Sequence, residues 1–205
     1  MRYIYLFVFS VLSVLSYAQM NAPYQDETLA KYCSDPNRLL VIETKQGTMK
    51  IQLFDKVAPN HVKQIVALAS EGKYNGTTFH RCIKDFMIQG GDPNSKDDDL
   101  NNDGSGSMGP TLKAEFNEVS HKRGVCSMAR TNDPNSATSQ FFICHGNPTF
   151  LDKQYTVWGQ LISGYDVMDK IMNLKGFDTG NGTNPGKEGV MTKVYVVEGK
   201  TPSKK

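Results

Sequence analysis

Phe79-His80-Arg81-Cys82-Ile83-Lys84-Asp85-Phe86-Met87-Ile88-Gln89-Gly90-Gly91-Asp92 is the stretch whose reading decides the fold. It belongs to an apolar and aromatic run over residues 77–89, broken once at Lys84-Asp85. Residues 90–110 beyond it are rich in Gly, Asp, Asn and Ser and read as one long loop. Loops of that length in a compact domain are usually functional or disordered. Upstream, residues 39–44 and 48–54 form two strand-like runs, and Lys45-Gln46-Gly47 between them signals a β-hairpin. Pro59 then sits at the tolerated first turn of a helix, Val62, Ile65, Val66 and Ala69 repeat at helical spacing, and Gly72 can end it. Downstream, residues 124–129, 140–144, 155–162 and 193–197 read as further strands. A second helix is predicted over 165–174, with Val167, Ile171 and Leu174 on one face and Gly176 as its stop. Many short strands and two helices predict a mainly β fold, a closed antiparallel barrel with helices over its open ends.

The N-terminus carries a different signal. Arg2 supplies a positive charge, residues 4–15 are an almost unbroken apolar run, and Ser16-Tyr17-Ala18 offers a small-x-small cleavage site. That order predicts a secretory signal peptide over 1–18. The run is shorter than the roughly 20 residues a spanning helix needs, so no stable membrane insertion is expected after cleavage. Residues 19–37 read as a polar lead-in, 38–199 as the domain and 200–205 as a polar tail. A formal net charge of +2 is too balanced for a nucleic-acid binder. Cys82, Cys126 and Cys144 lie in strand-like apolar runs and read as small buried hydrophobes, whereas Cys33 lies in the polar lead-in; no pairing is assigned. Asp99-Leu100-Asn101-Asn102-Asp103-Gly104 fits the first half of a calcium loop, but Pro110 stands where the bidentate Glu belongs, so an acidic solvated turn is expected and no metal. Asn75-Gly76-Thr77 and Asn181-Gly182-Thr183 are glycosylation sequons, meaningful only in a eukaryotic source.

Three separate words in register go further than patterning. The stretch quoted above resembles the central signature of the cyclophilins: Phe-His-Arg, a short turn, then Phe-Met-x-Gln-Gly-Gly-Asp. Ser127-Met128-Ala129-Arg130 with Ser139-Gln140-Phe141-Phe142-Ile143 resembles the second block of the family, and Phe150-Leu151-Asp152 through Tyr155 to Trp158-Gly159 its third. The resemblance runs over residues 39–197, and the run 128–137 looks more like bacterial members than animal ones. With the signal peptide, that points to the periplasm, with secretion or a secretory-pathway lumen as the alternative. The family fold this implies is an eight-stranded antiparallel barrel capped by two helices.

The activity implied is peptidyl-prolyl cis-trans isomerisation of proline-containing polypeptides, here unfolded exported proteins. Rotation about an X–Pro amide faces a barrier of ~18–20 kcal/mol because resonance gives the C–N bond double character. No bond breaks, so neither cofactor nor metal is required. A fixed cation beside the nitrogen would stabilise the lone pair freed in the twisted amide, which is differential binding of the transition state. Arg81 matches the catalytic arginine of the family and Gln89 the residue that orients it. Phe86, Met87, Phe142, Leu151 and Tyr155 match the walls of the proline pocket. The main chain at Ala129 and Arg130 and the side chain of Gln140 match the groove for the peptide backbone. Phe150 is also expected among the substrate-binding residues; it stands where many members carry Trp, and Tyr155 where many carry His, which implies weakened binding of the cyclic peptide cyclosporin. Asp97, Asp98, Asp99 and Asp103 imply a mild preference for Lys or Arg near the proline. Taken singly, Arg81 would read as a surface ion-pair residue and Phe86, Met87 and Phe142 as core; the joint occurrence of the three words reverses that. His80 reads as structural, since the reaction needs no base. The rival from another class is a proline-binding module that keeps the groove with little turnover.

Overall fold

A computed structural model gives the arrangement of the chain and describes residues 27–198. The expected signal peptide, the first part of the lead-in and the 200–205 tail lie outside the described residues. A single helical turn α1 (Glu27–Ala30) precedes the hairpin β1 (Leu39–Thr44) and β2 (Gly47–Leu53), helix α2 (Pro59–Ser70) and the hairpin β3 (Arg81–Ile83) and β4 (Met87–Gly90). Then come β5 (Val125–Met128), β6 (Phe141–Cys144), β7 (Val157–Ser163), helix α3 (Tyr165–Met172), the short pair β8 (Phe177–Asp178) and β9 (Thr183–Asn184), and β10 (Met191–Val197). Among the described residues no helix is long and apolar enough to cross a membrane.

The closed eight-stranded barrel needs correction. The strands form one curled ten-stranded antiparallel sheet in the order β10-β1-β2-β7-β5-β6-β4-β3-β9-β8, open at β10 and β8. Two residues each, β8 and β9 extend the β3 edge without reaching β10. The seam is held instead by backbone bonds between the segment before β3 and the start of β10, from Gly76 N–H to Met191 O at 2.9 Å, Met191 N–H to Thr77 O at 2.8 Å and Phe79 N–H to Gly189 O at 2.9 Å.

Alternation along the strands separates two cores. Ile88, Cys126, Met128, Phe141 and Ile143 point into the curled sheet with Leu40, Ile51 and Trp158. Their strand neighbours Met87, Val125, Phe142 and Cys144 point outward into a second cluster with Phe54, Leu151 and Cys33. Helix α2 covers the first core with Val62, Ile65, Leu68 and Ala69. Its first amides are satisfied from a distance, since Asn60 N–H and His61 N–H each donate at 3.1 Å to the Glu115 carboxylate, a negative group at the positive end of the helix.

The polar lead-in is not detached in its described part. Tyr32 packs on Phe54 with ring centroids 5.1 Å apart, and Lys56 N–H donates to Tyr32 O at 3.0 Å. Cys33 is thereby buried with the other three cysteines, all of them free thiols. Burial pushes the Cys33, Cys82 and Cys144 thiols up to about 12. They are held as inert thiols rather than reactive thiolates.

Candidate active site

The break at Lys84-Asp85 is the turn of the β3–β4 hairpin. Asp85 takes a left-handed φ of 61°, and Phe86 N–H closes the turn on Ile83 O at 3.1 Å. This turn sets Arg81 directly opposite Gln89 in the antiparallel ladder. Cross-strand partners share a face, so Arg81 Nη1 donates to Gln89 Oε1 at 3.1 Å. The opposite edge of the guanidinium is held by Asn181, whose backbone O accepts from Nε at 3.0 Å and whose Oδ1 accepts from Nη2 at 2.9 Å.

A relay extends behind Gln89. Its Nε2 donates to Gln140 Oε1 at 3.0 Å, and Gln140 Nε2 donates to Gly104 O at 2.9 Å and Gly106 O at 2.7 Å. The Gly104–Gly106 segment is in turn fixed by the buried carboxylate of Asp92, which accepts from the amides of Gly104 and, at 3.2 Å, Gly106. Gly91 before it has φ 85°, and a Cβ there would lie 2.7 Å from Ser139 O, so the Gly-Gly-Asp word is a tight turn followed by a loop anchor.

These groups border a cavity of about 510 Å³ that Arg81, Gln89, Phe86, Met87, Ala129, Arg130, Phe142, Leu151 and Tyr155 all line. Leu151 is supplied by a short 3-10 turn, and Phe142 meets Tyr155 edge to face at 5.9 Å. Arg130 lies over the Tyr155 ring at 4.4 Å and is tied to Gln154 O by Nε and Nη2, at 3.1 and 3.0 Å. Burial draws the Arg81 pKa below its ordinary value, yet an arginine remains charged. The arrangement presents a fixed cation at one edge of an apolar pocket, where its field is stronger than in water.

Two expected residues sit differently. Gln140 does not line the cavity; both its amide hydrogens are engaged by the 104–106 loop, so it buttresses Gln89 instead of offering a donor to peptide. Phe150 lies on the rim, 67% exposed and stacked on Phe86 with centroids 5.7 Å apart. Of the acidic stretch only Asp103 lines the cavity, with Asn184 Nδ2 donating to its Oδ2 at 2.7 Å. Asp97 and Asp98 border a separate hollow beside Lys187. Sequence reading missed Asn181, Asn184, Thr179 and Leu100, which also line the cavity. Asn181 stood out only as a sequon.

Behind the pocket wall, His121 stacks on Phe142 at 6.1 Å, its Nδ1 lies 2.9 Å from Asp152 Oδ1 and its Nε2 3.1 Å from Ser127 Oγ. Burial lowers the pKa of His121, against the pull of Asp152, and lowers that of His80 against Asp92 and Asp103. The folded protein thus keeps both rings neutral where the unfolded chain protonates them. Stability is full above the ordinary histidine pKa of about 6.5 and falls as pH drops through the depressed folded values. Urea midpoints across that range should decline towards acid; a midpoint unchanged well below pH ~6 would contradict the assignment.

The family model described as cyclophilin type peptidyl-prolyl cis-trans isomerase/CLD matches residues 39–196. A probable peptidyl-prolyl cis-trans isomerase of Brucella suis is 43% identical over 161 residues, 75% of this chain and 81% of its own length. A peptidyl-prolyl cis-trans isomerase of Acinetobacter baylyi is 38% identical over 145 residues, covering 67% of this chain and 73% of its own. A crystal structure of a Cryptosporidium parvum cyclophilin type isomerase in the presence of the dipeptide Ala-Pro superposes with a TM-score of 0.69 at 30% identity, covering 78% of this chain and 99% of that one.

Proposed function

The chain belongs to the cyclophilin-type peptidyl-prolyl cis-trans isomerases, and from that premise we propose that its Arg81-centred pocket twists X–Pro bonds of exported polypeptides during their folding. The family membership makes it an isomerase acting on proline-containing peptides. The site assignment, the exported clients and the periplasmic location are our reading. The observation that carries the site assignment is the double clamp on Arg81. Three of the five N–H donors of a guanidinium are engaged by Gln89 and Asn181, which leaves two for substrate.

The proline ring enters among Phe86, Met87, Phe142, Leu151 and Tyr155. Its amide nitrogen then faces those two donors. In the planar ground state the nitrogen lone pair is delocalised and accepts poorly. In the twisted amide it is localised, so the hydrogen bond forms mainly in the transition state and lowers the barrier. The clamp matters because a donor fixed beforehand needs no reorganisation at the moment of rotation. Uncatalysed exchange takes roughly tens to hundreds of seconds, slow enough to limit folding of an exported chain.

The apolar N-terminal run with its Ser16-x-Ala18 site supports export. Mass spectrometry of protein from the native host should find a chain beginning at Gln19; an intact Met1 on membrane-bound protein would overturn the exported role.

Phe150 supports weak binding of cyclosporin. It offers an aromatic wall on the rim but no N–H donor. A neutral hydrogen bond is worth about 0.5–1.5 kcal/mol, so Phe150→Trp should tighten cyclosporin roughly 2–13-fold with little change in turnover. Equal inhibition constants for parent and variant would clear Phe150 of any part in that weakness.

A further inference from the structure

The chain contains two Asn-Gly-Thr triplets, at Asn75 and Asn181, both exposed but differently hydrogen-bonded. Asn-Gly is the dipeptide most open to backbone attack on a side-chain amide, because glycine has no Cβ to obstruct the approach and adopts the turns it needs. At Asn75 the attack is blocked. Asn75 Oδ1 accepts from Val194 N–H at 2.8 Å, and Gly76 N–H is held by Met191 O at 2.9 Å across the seam of the sheet.

Asn181 is exposed between β8 and β9, and among the described residues no partner is found for the Gly182 N–H. Its Oδ1 accepts from Arg81 Nη2 at 2.9 Å. An arginine offers donors only, so the carbonyl oxygen and not the amide nitrogen must face it. A cationic donor on that oxygen polarises Cγ and stabilises the oxyanion that forms there when a nucleophile adds.

We propose that Asn181-Gly182 is a self-modification site, a deamidation assisted by Arg81 whose product lowers the activity of the adjacent pocket. Gly182 N gives up its proton to solvent and bonds to Asn181 Cγ, with negative charge developing on Oδ1. The Cγ–Nδ2 bond then breaks, and Nδ2 takes a proton from solvent and leaves as ammonia. Water opens the resulting succinimide at either carbonyl, giving aspartate or, with one more backbone methylene, isoaspartate. The sum is amide plus water to carboxylic acid plus ammonia.

The product changes the clamp in two ways. A carboxylate replaces a neutral oxygen against the guanidinium, and the resulting ion pair holds Arg81 more tightly and partly cancels the positive field meant for the proline nitrogen. The isoaspartate form also displaces the backbone carbonyl that holds Nε. This loss of activity rests on the reading of Arg81 given above; the chemistry at Asn181 does not.

The test ages the purified protein at mildly alkaline pH and maps deamidated peptides by mass spectrometry. Asn181 should convert at least about tenfold faster than Asn75 in the same molecule, the rate equivalent of about one charged hydrogen bond. Equal or slower conversion at Asn181 overturns the proposal. In Arg81→Leu the Asn181 reaction should slow by about the same factor; an unchanged or faster rate removes the assistance. Asn181→Asp should keep its circular dichroism and melting temperature while kcat/KM falls at least about tenfold. Full activity in Asn181→Asp overturns the regulatory half. If Arg81→Ala is also fully active, the fault lies in the reading of Arg81; if Arg81→Ala is inactive, it lies in the proposed effect of the product.

Discussion

Arg81→Ala should lower kcat/KM roughly 10–150-fold while the fold survives. A hydrogen bond to a charged group is worth about 1.5–3 kcal/mol, and this one is made mainly in the twisted state, so its loss falls on the barrier. The fold has little to lose. Arg81 is half-buried at the edge of the cavity, its partners are the side chain of Gln89 and the exposed loop residue Asn181, and neither core includes it. Binding of a proline peptide should change less than kcat, because the apolar walls remain. A chymotrypsin-coupled assay with thermal melting on the same preparation checks this; a folded variant with parental turnover removes Arg81 from the mechanism.

The largest effect on stability is expected one residue from the pocket wall. Phe141 is fully buried in the first core and meets Tyr74, Phe79 and Trp158 edge to face, at 5.7, 6.3 and 5.6 Å. Phe141→Ala removes the ring at the centre of that cluster and should cost about 3–5 kcal/mol. Its neighbour Phe142 points the other way, into the second core and the cavity. Phe142→Ala should therefore raise KM for proline peptides as well as destabilise. Urea unfolding of Phe141→Ala decides the first point: a loss below about 1 kcal/mol would mean that the aromatic cluster is not the keystone the packing makes it.

The fold was legible wherever local chemistry and long-range pairing agree. The Lys84-Asp85 break is a turn, the runs on either side are β3 and β4, and the helix spacing beginning at Pro59 is α2. The strand count was not legible, because β8 and β9 are two residues each and too short to show alternation. Cys33 and Tyr32 looked like part of a polar lead-in, since their burial depends on docking against Phe54 and not on any local period. At the site, Arg81 and Gln89 were named through the resemblance of their words to the family signature, and one hairpin register sets them opposite each other. Asn181 was not, since it comes to Arg81 from 100 residues away. Charge counting treats the acidic stretch as one feature, and the fold divides it. The Asp97 carboxylate accepts from Asp99 N–H and Asn102 Nδ2 to build its own turns, and Asp103 alone reaches the cavity.

Arg81 in this pocket is proposed to accelerate rotation, not merely to help hold proline. The direct measurement is NMR exchange spectroscopy on a peptide with one Ala-Pro bond, titrated with the chain beginning at Gln19. Cis–trans exchange cross-peaks should grow with catalytic amounts of protein and weaken with Arg81→Ala as the catalysed rate falls roughly 10–150-fold. Chemical-shift changes from binding, with exchange no faster than in the free peptide, would contradict it.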